Sequence, residues 1–210
     1  LAAWNGNPRA LRPEDLLGKG GVADALNRLV DQGLARHIGF SGTGEAAAVR
    51  DVLASGRFAS AQIYYNFLNP SAGRAMLNGW DAYNQQNIIA TAAEHDVAVM
   101  VIRVFAARVI ATDTRTGREG GVLIDNDIAA DERHMTAALP LLKPEHGARS
   151  QVAIRYALGH PGVSGVVIGL AEIEHLSLAL EAAAMGPLPD DLVQELDRLA
   201  DANFGTTRAS

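Results

Sequence analysis

The sequence predicts an α/β fold with parallel strands, and three observations carry that prediction. Four short apolar runs, at 36–40, 60–64, 97–102 and 163–168, are entered or left through Gly, Ser, Asn or Asp. Segments of helical periodicity separate them. Two of the runs stop abruptly at small or amide-bearing residues, Phe40-Ser41-Gly42-Thr43-Gly44 and Gln62-Ile63-Tyr64-Tyr65-Asn66, with roughly twenty residues of helical character between. That is the spacing of a βαβ unit, and such strand ends face ligands in parallel sheets.

Each element follows from its local sequence. Residues 1–20 read as irregular, because Gly6, Pro8, Pro13, Gly18 and Gly20 interrupt any period. A helix fits 21–33, with Val22, Ala25, Leu26, Leu29 and Val30 on one face and Gly33 at its exit. The first strand is 36–40, a helix follows near 45–55, and the second strand is 60–64. Residues 65–81 read as a long loop, and a helix near 84–94 leads to Asp96 and the third strand. Val97 to Ile102 is apolar at every position, which predicts cover on both faces. Residues 111–128 are polar and glycine-containing, and predict an exposed, mobile loop. Helices fit 130–142 and 148–158, and Gly159-His160-Pro161-Gly162 is a stop and turn. The fourth strand ends at Gly169, with helices at about 172–184 and 189–202 beyond it. There is no sequence repeat, only strand followed by helix.

Bulk properties narrow the function. The 210 residues are 48% hydrophobic and 20% charged, the composition of a globular chain long enough to bury one sizeable core. With 18 basic and 24 acidic residues and a net charge of −6, and no Lys/Arg cluster, a nucleic-acid groove is not expected. The absence of cysteine excludes disulfides, thiolate catalysis and cysteine-bound zinc, and fits a reducing cytoplasm. No apolar run approaches the ~20 residues of a membrane span. The start, Leu1-Ala2-Ala3-Trp4, has neither an initiator Met nor a signal-peptide build, and reads as part of something longer.

Ser41-Gly42-Thr43-Gly44 lets backbone approach a ligand and offers a hydroxyl, although an ordinary tight turn would look the same. It is not a G-x-G-x-x-G fingerprint. Gln62 interrupts an apolar strand, and a buried amide left unpaired costs roughly 1–3 kcal/mol; a ligand amide or a neighbouring backbone group would satisfy it. Asn66 reads as a cap or turn residue. Arg103 emerges at the end of the third strand, suited to an anion or to a salt bridge with a loop carboxylate. Gly169 precedes a helix N-terminus able to take a phosphate, but Glu172 and Glu174 already complement that dipole. The six histidines form no metal-ligand spacing, and His160 in its turn reads as structural. No G-x-S-x-G is present.

Taken in order, Gly33-Leu34-Ala35-Arg36-His37-Ile38-Gly39-Phe40-Ser41, Gln62-Ile63-Tyr64-Tyr65-Asn66, Gln151-Val152-Ala153-Ile154-Arg155-Tyr156-Ala157-Leu158 with His160-Pro161, and Gly165-Val166-Val167-Ile168-Gly169 resemble the aldo/keto reductases. The resemblance covers about residues 20–185 and is nearest the bacterial sugar and aldose dehydrogenase branch. It implies a (β/α)8 TIM barrel, of which residues 1–210 would be a single domain forming roughly the C-terminal half, the four strands matching the fifth to eighth. It also implies a nicotinamide cofactor across the strand ends. Ser41 and Gln62 would hold the carboxamide, with Gly42 where the family carries Asn. Arg103 would lie near the segment packed on the ring. Gly169, Leu170 and His175 would lie on the loop and helix that hold the adenosine phosphate.

The departures qualify this. Arg108 stands where a Gly is usual, and Gly169-Leu170, His175 and Ala179 replace basic and amide groups. That tilts the choice from NADP towards NAD. The family's catalytic Asp, Tyr, Lys and His belong to the first half of the barrel, so no catalytic residue is assigned here. The resemblance thus implies part of an oxidoreductase moving hydride between a nicotinamide and a carbonyl or aldose. A non-catalytic cofactor-sensing or scaffolding relative is the alternative. Open barrel edges would favour self-association.

Overall fold

The computed structural model describes residues 10–115 and 128–205. Four strands, β1 (Gly39–Gly42), β2 (Ser60–Tyr64), β3 (Ala98–Ile102) and β4 (Gly165–Val166), form one parallel sheet in the order β1-β2-β3-β4. Strands that neighbour in space as they follow in sequence build a barrel wall; a doubly wound sheet reverses its order at a switch point. Two helices, α1 (Pro13–Leu17) and α2 (Val22–Asp31), precede β1; α3 (Ala46–Ala54), α4 (Ile88–Glu94), α5 (Ile128–Ala138) and α6 (Arg149–Gly159) lie between strands, and α7 (Ile173–Ala184) and α8 (Asp190–Asp201) follow β4.

The sheet has two unlike faces. Phe40, Ala61, Ile63, Val99 and Val101 are buried on one, against a core that includes Val49, Val52, Leu53, Ile88 and Val152. Ser41, Gln62, Tyr64, Met100 and Ile102 alternate with them and are half-buried. The expectation that β3 is covered on both faces is therefore corrected: among the described residues the helices pack on one side.

Several boundaries move for identifiable reasons. The lead-in is not wholly irregular, because Pro13 opens α1 at a position where its missing N–H costs nothing; residues 1–9 lie outside the described residues. The first strand starts at Gly39 rather than 36, because its partner begins at Ser60 after the Gly56 turn (φ 64°). The helix expected near 84–94 starts at Ile88, since Gln86 and Asn87 take left-handed φ values of 56° and 54°. The fourth strand shortens to two residues, though Ser164 N donates to Val99 O at 2.9 Å and Val167 N to Val101 O at 2.8 Å. The expected mobile loop falls mostly outside the described residues. What is described of it is tied down, with Arg115 Nε bonding Glu132 Oε1 at 2.6 Å and Arg149 bonding Asp113 at 2.8 Å, and residue 128 already belongs to α5.

Candidate functional site

The strand register places the site. Ser41, Gln62, Met100 and Gly165 are Cα partners across all four strands, so they form one row on the half-buried face. Within it the Ser41 hydroxyl donates to Gln62 Oε1 at 3.0 Å. Neither partner expected for Gln62 supplies this bond; a side chain 21 residues earlier does. The pair keeps two kinds of capacity, lone pairs on Ser41 Oγ and the donors of Gln62 Nε2. An acceptor beside a donor is complementary to a primary carboxamide, which carries one of each.

Tyr64 and Ile102 form the next row towards the strand ends. The Arg103 guanidinium lies 5.8 Å from the centre of the Tyr64 ring, within cation–π range. Burial pushes the Tyr64 hydroxyl well above the ordinary phenol range, Asp131 adds to the rise, and Arg103 and Asn66 oppose it. Burial also pushes Tyr65 up to about 12, where it stacks on Tyr156 with ring centroids 5.4 Å apart. Neither phenol is tuned to give up a proton near neutral pH.

Gly42 faces the other way. A Cβ there would meet Ile63 Cδ1 at 2.8 Å and Val49 Cγ1 at 2.9 Å, so its side-chain direction is into the core and only its backbone reaches the site edge. Gly169 and Leu170 lie in the loop after β4 and His175 in the first turn of α7, and β4 is itself two strands from the strand that carries Gln62. All three are exposed. They are not brought into the Ser41–Gln62 row; Glu172 and Glu174 are their neighbours at the start of α7. His160 is structural as expected, with Nε2 3.0 Å from Gly73 O and Nδ1 accepting from Gly162 N at 3.1 Å. Among the described residues no group of three His, Asp or Glu side chains is placed to hold a metal.

In the loop after β2, Asn66 shapes the turn as expected, and three further buried polar residues were not singled out from the sequence. Asn66, Asn69, Ser71 and Gln85 are all buried. Tyr83 ties this loop to the turn after β1, its hydroxyl accepting from Ala46 N at 2.7 Å and donating to Gly44 O at 3.2 Å. The available signal was Asn66-x-x-Asn69-Pro70-Ser71, side chains that bond backbone groups a few residues on. Four non-glycine residues of the β3 exit, Arg103, Ala106, Ala107 and Arg108, have φ between 44° and 79°. The left-handed backbone at 108 is the conformation for which a Gly is suited.

Comparison with known families matches the aldo/keto reductase family over residues 20–201. Among solved structures, the chain resembles an aldo-keto reductase from Bacillus halodurans in its holo form, with a TM-score of 0.63 at 19% identity, covering 87% of this chain and 56% of that one. It also resembles an aldo/keto reductase from Klebsiella pneumoniae in complex with NADP and acetate, with a TM-score of 0.55 at 20% identity, covering 85% and 53%. The chain thus spans little more than half the length of these structures. Comparison with curated proteins gives no match. The four parallel strands and their helices are a partial (β/α) barrel of this type.

Proposed function

Because the chain belongs to the aldo/keto reductase family, we propose that it forms the nicotinamide-binding part of an NAD(P)-dependent oxidoreductase acting on a carbonyl or aldose. The observation that carries this reading is the Ser41–Gln62 pair, 3.0 Å apart in one register row, whose remaining acceptor and donor suit a carboxamide. When bound, the cofactor would carry the hydride. Ser41 and Gln62 orient its amide, Gly42 lets backbone approach, and Arg103 lies beside the ring-side edge. Gly169, Leu170 and His175 would face the adenosine phosphate. Exposed groups beside Glu172 and Glu174 favour NAD over a second phosphate at this place.

Residues 1–210 are read as one domain of a cytoplasmic protein. No helix of the described residues is long and apolar enough to cross a membrane. Tyr64 and Tyr65, both raised in pKa by burial, are not read as the catalytic proton donor, and the chain is either one part of the reductase or a cofactor-sensing relative. The test is titration of the purified chain with NADH and NADPH, followed by fluorescence. Ser41→Ala and Gln62→Leu should each weaken binding about tenfold, the effect of losing one good hydrogen bond, and turnover with aldehydes or aldoses should be absent. Unchanged affinity in both variants overturns the reading; turnover by the parent overturns the assignment of no catalytic residue.

The barrel edges favour pairing with a second copy. Beside β1, Leu29 and Leu34 are exposed, with Arg28 and Arg36; beside β4, Ile173 (70% exposed) and Leu180 (64%) accompany Glu172 and Glu174. Both flanks thus present exposed apolar side chains; the first mixes Arg28 and Arg36 with Asp31, and the second carries the two carboxylates. Sedimentation should show association that Leu180→Glu weakens; a monodisperse monomer sinks this part.

A further inference from the structure

The last backbone rung between β2 and β3 is Tyr65 N donating to Ile102 O at 3.4 Å. The next rung is made by a side chain. Asn66 Nδ2 donates to Arg103 O at 2.8 Å, across 37 residues, while its Oδ1 accepts from Leu68 N at 2.9 Å and Asn69 N at 3.0 Å. Asn66 is 0% exposed, so these bonds are shielded from water and costly to break. One amide therefore does two separable things: its oxygen shapes the turn after β2, and its nitrogen holds the peptide of Arg103.

That peptide needs holding. Arg103 has φ 59°, a left-handed conformation that a non-glycine residue keeps only where the surroundings impose it. With the backbone turned there, its guanidinium lies against the Tyr64 ring, one row beyond Ser41 and Gln62. The loop is also anchored to the strand ends, since Gln85 Nε2 donates to Tyr64 O at 3.3 Å and Gln85 N to Ser71 Oγ at 2.9 Å.

We propose that Asn66 is a positioning residue for the dinucleotide, acting through Arg103 by fixing that residue's carbonyl and turning its guanidinium onto the Tyr64 ring beside the carboxamide pair. The proposal rests on the cofactor reading above. It goes beyond that reading in giving the affinity a determinant that touches no ligand.

A double-mutant cycle on nucleotide affinity tests it, with NADH and NADPH as probes. Asn66→Asp keeps an oxygen for the turn but sets an acceptor against Arg103 O. Asn66→Ser keeps a hydroxyl acceptor, too short to reach Arg103, and serves if the buried carboxylate prevents folding. Each should weaken binding about tenfold, the worth of one charge-assisted contact misplaced. In an Arg103→Ala background the same changes should add less than twofold, because the residue they act through is gone. Equal losses in both backgrounds, or no loss in the first, overturn the proposal. If Ser41→Ala and Gln62→Leu weaken binding while the Asn66 variants do not, this inference fails and the cofactor reading stands. If the parent binds neither nucleotide, both fall.

Discussion

Placing at position 42 the Asn that the family resemblance implies there is expected to damage this protein. In β1 the direction from the Gly42 Cα is into the core, where an added Cβ would lie 2.8 Å from Ile63 Cδ1, 2.9 Å from Val49 Cγ1 and 3.3 Å from Gln62 O. Ile63 and Val49 are 0% and 1% exposed, so neither can retreat into solvent, and close-packed interiors transmit such a push. Overpacking of this kind costs about 1–3 kcal/mol. The amide beyond the Cβ would be buried among apolar side chains, adding about 1–3 kcal/mol. Gly42→Asn should therefore lose about 2–6 kcal/mol, and Gly42→Ala only the first part, about 1–3 kcal/mol. At roughly 2–4 °C per kcal/mol for a chain of this size, that is a fall in Tm of about 4–24 °C for the Asn variant. Denaturant melts with an unchanged m-value would show the loss as folded-state stability. An Asn variant as stable as the parent, and binding nucleotide more tightly, would refute the reasoning. It would mean that β1 sits one residue out of the described register, which sends every side chain to the opposite face.

Arg108 is exposed with φ 79°, so Arg108→Gly relieves backbone strain with little packing loss and should raise stability by about 0.5–1 kcal/mol in denaturant melts; a loss would mean that the Arg side chain contributes more than its backbone costs. Tyr65 is held up to about 12 by burial, and Tyr64 and Tyr156 are raised as well. A raised folded-state pKa stabilises fully below the unfolded value of about 10 and is lost as pH climbs through the folded one. Stability should thus decline between about pH 10 and 12, with tyrosinate absorbance appearing together with unfolding; tyrosinate forming near pH 10 in the folded chain would contradict the burial. Asp24 is lowered by its bond to Arg57 at 2.6 Å and by Gly20 N, so that pair should hold until pH falls below about 4, and Asp24→Asn should flatten that acid limb.

Much of the fold was legible because its signals are local. The apolar run Val97–Ile102 and the break at Gly159-His160-Pro161-Gly162 declare a strand and a turn without reference to anything distant. The misplaced boundaries share one cause, since they depend on partners. β1 begins where Ser60 becomes available, β4 shortens at the sheet edge, and α4 starts late because Gln85 is drawn to Ser71 and Tyr64. At the site, Ser41 and Gln62 could be singled out from their types and positions, and the family resemblance supplied the role expected of them. Asn66 could be read as a turn residue, which is half of what it does. Its bond to Arg103 spans 37 residues, and no local pattern announces it.

By itself, then, the order of residues determined the strand–helix alternation, the parallel sheet and the family, because periodicity and turn chemistry act over a few residues. Only the tertiary structure decided which face Gly42 presents, that Ser41 and Gln62 satisfy one another, and that Asn66 holds Arg103. Register and side-chain reach join segments twenty to forty residues apart, and the geometry between them exists only once the sheet has formed.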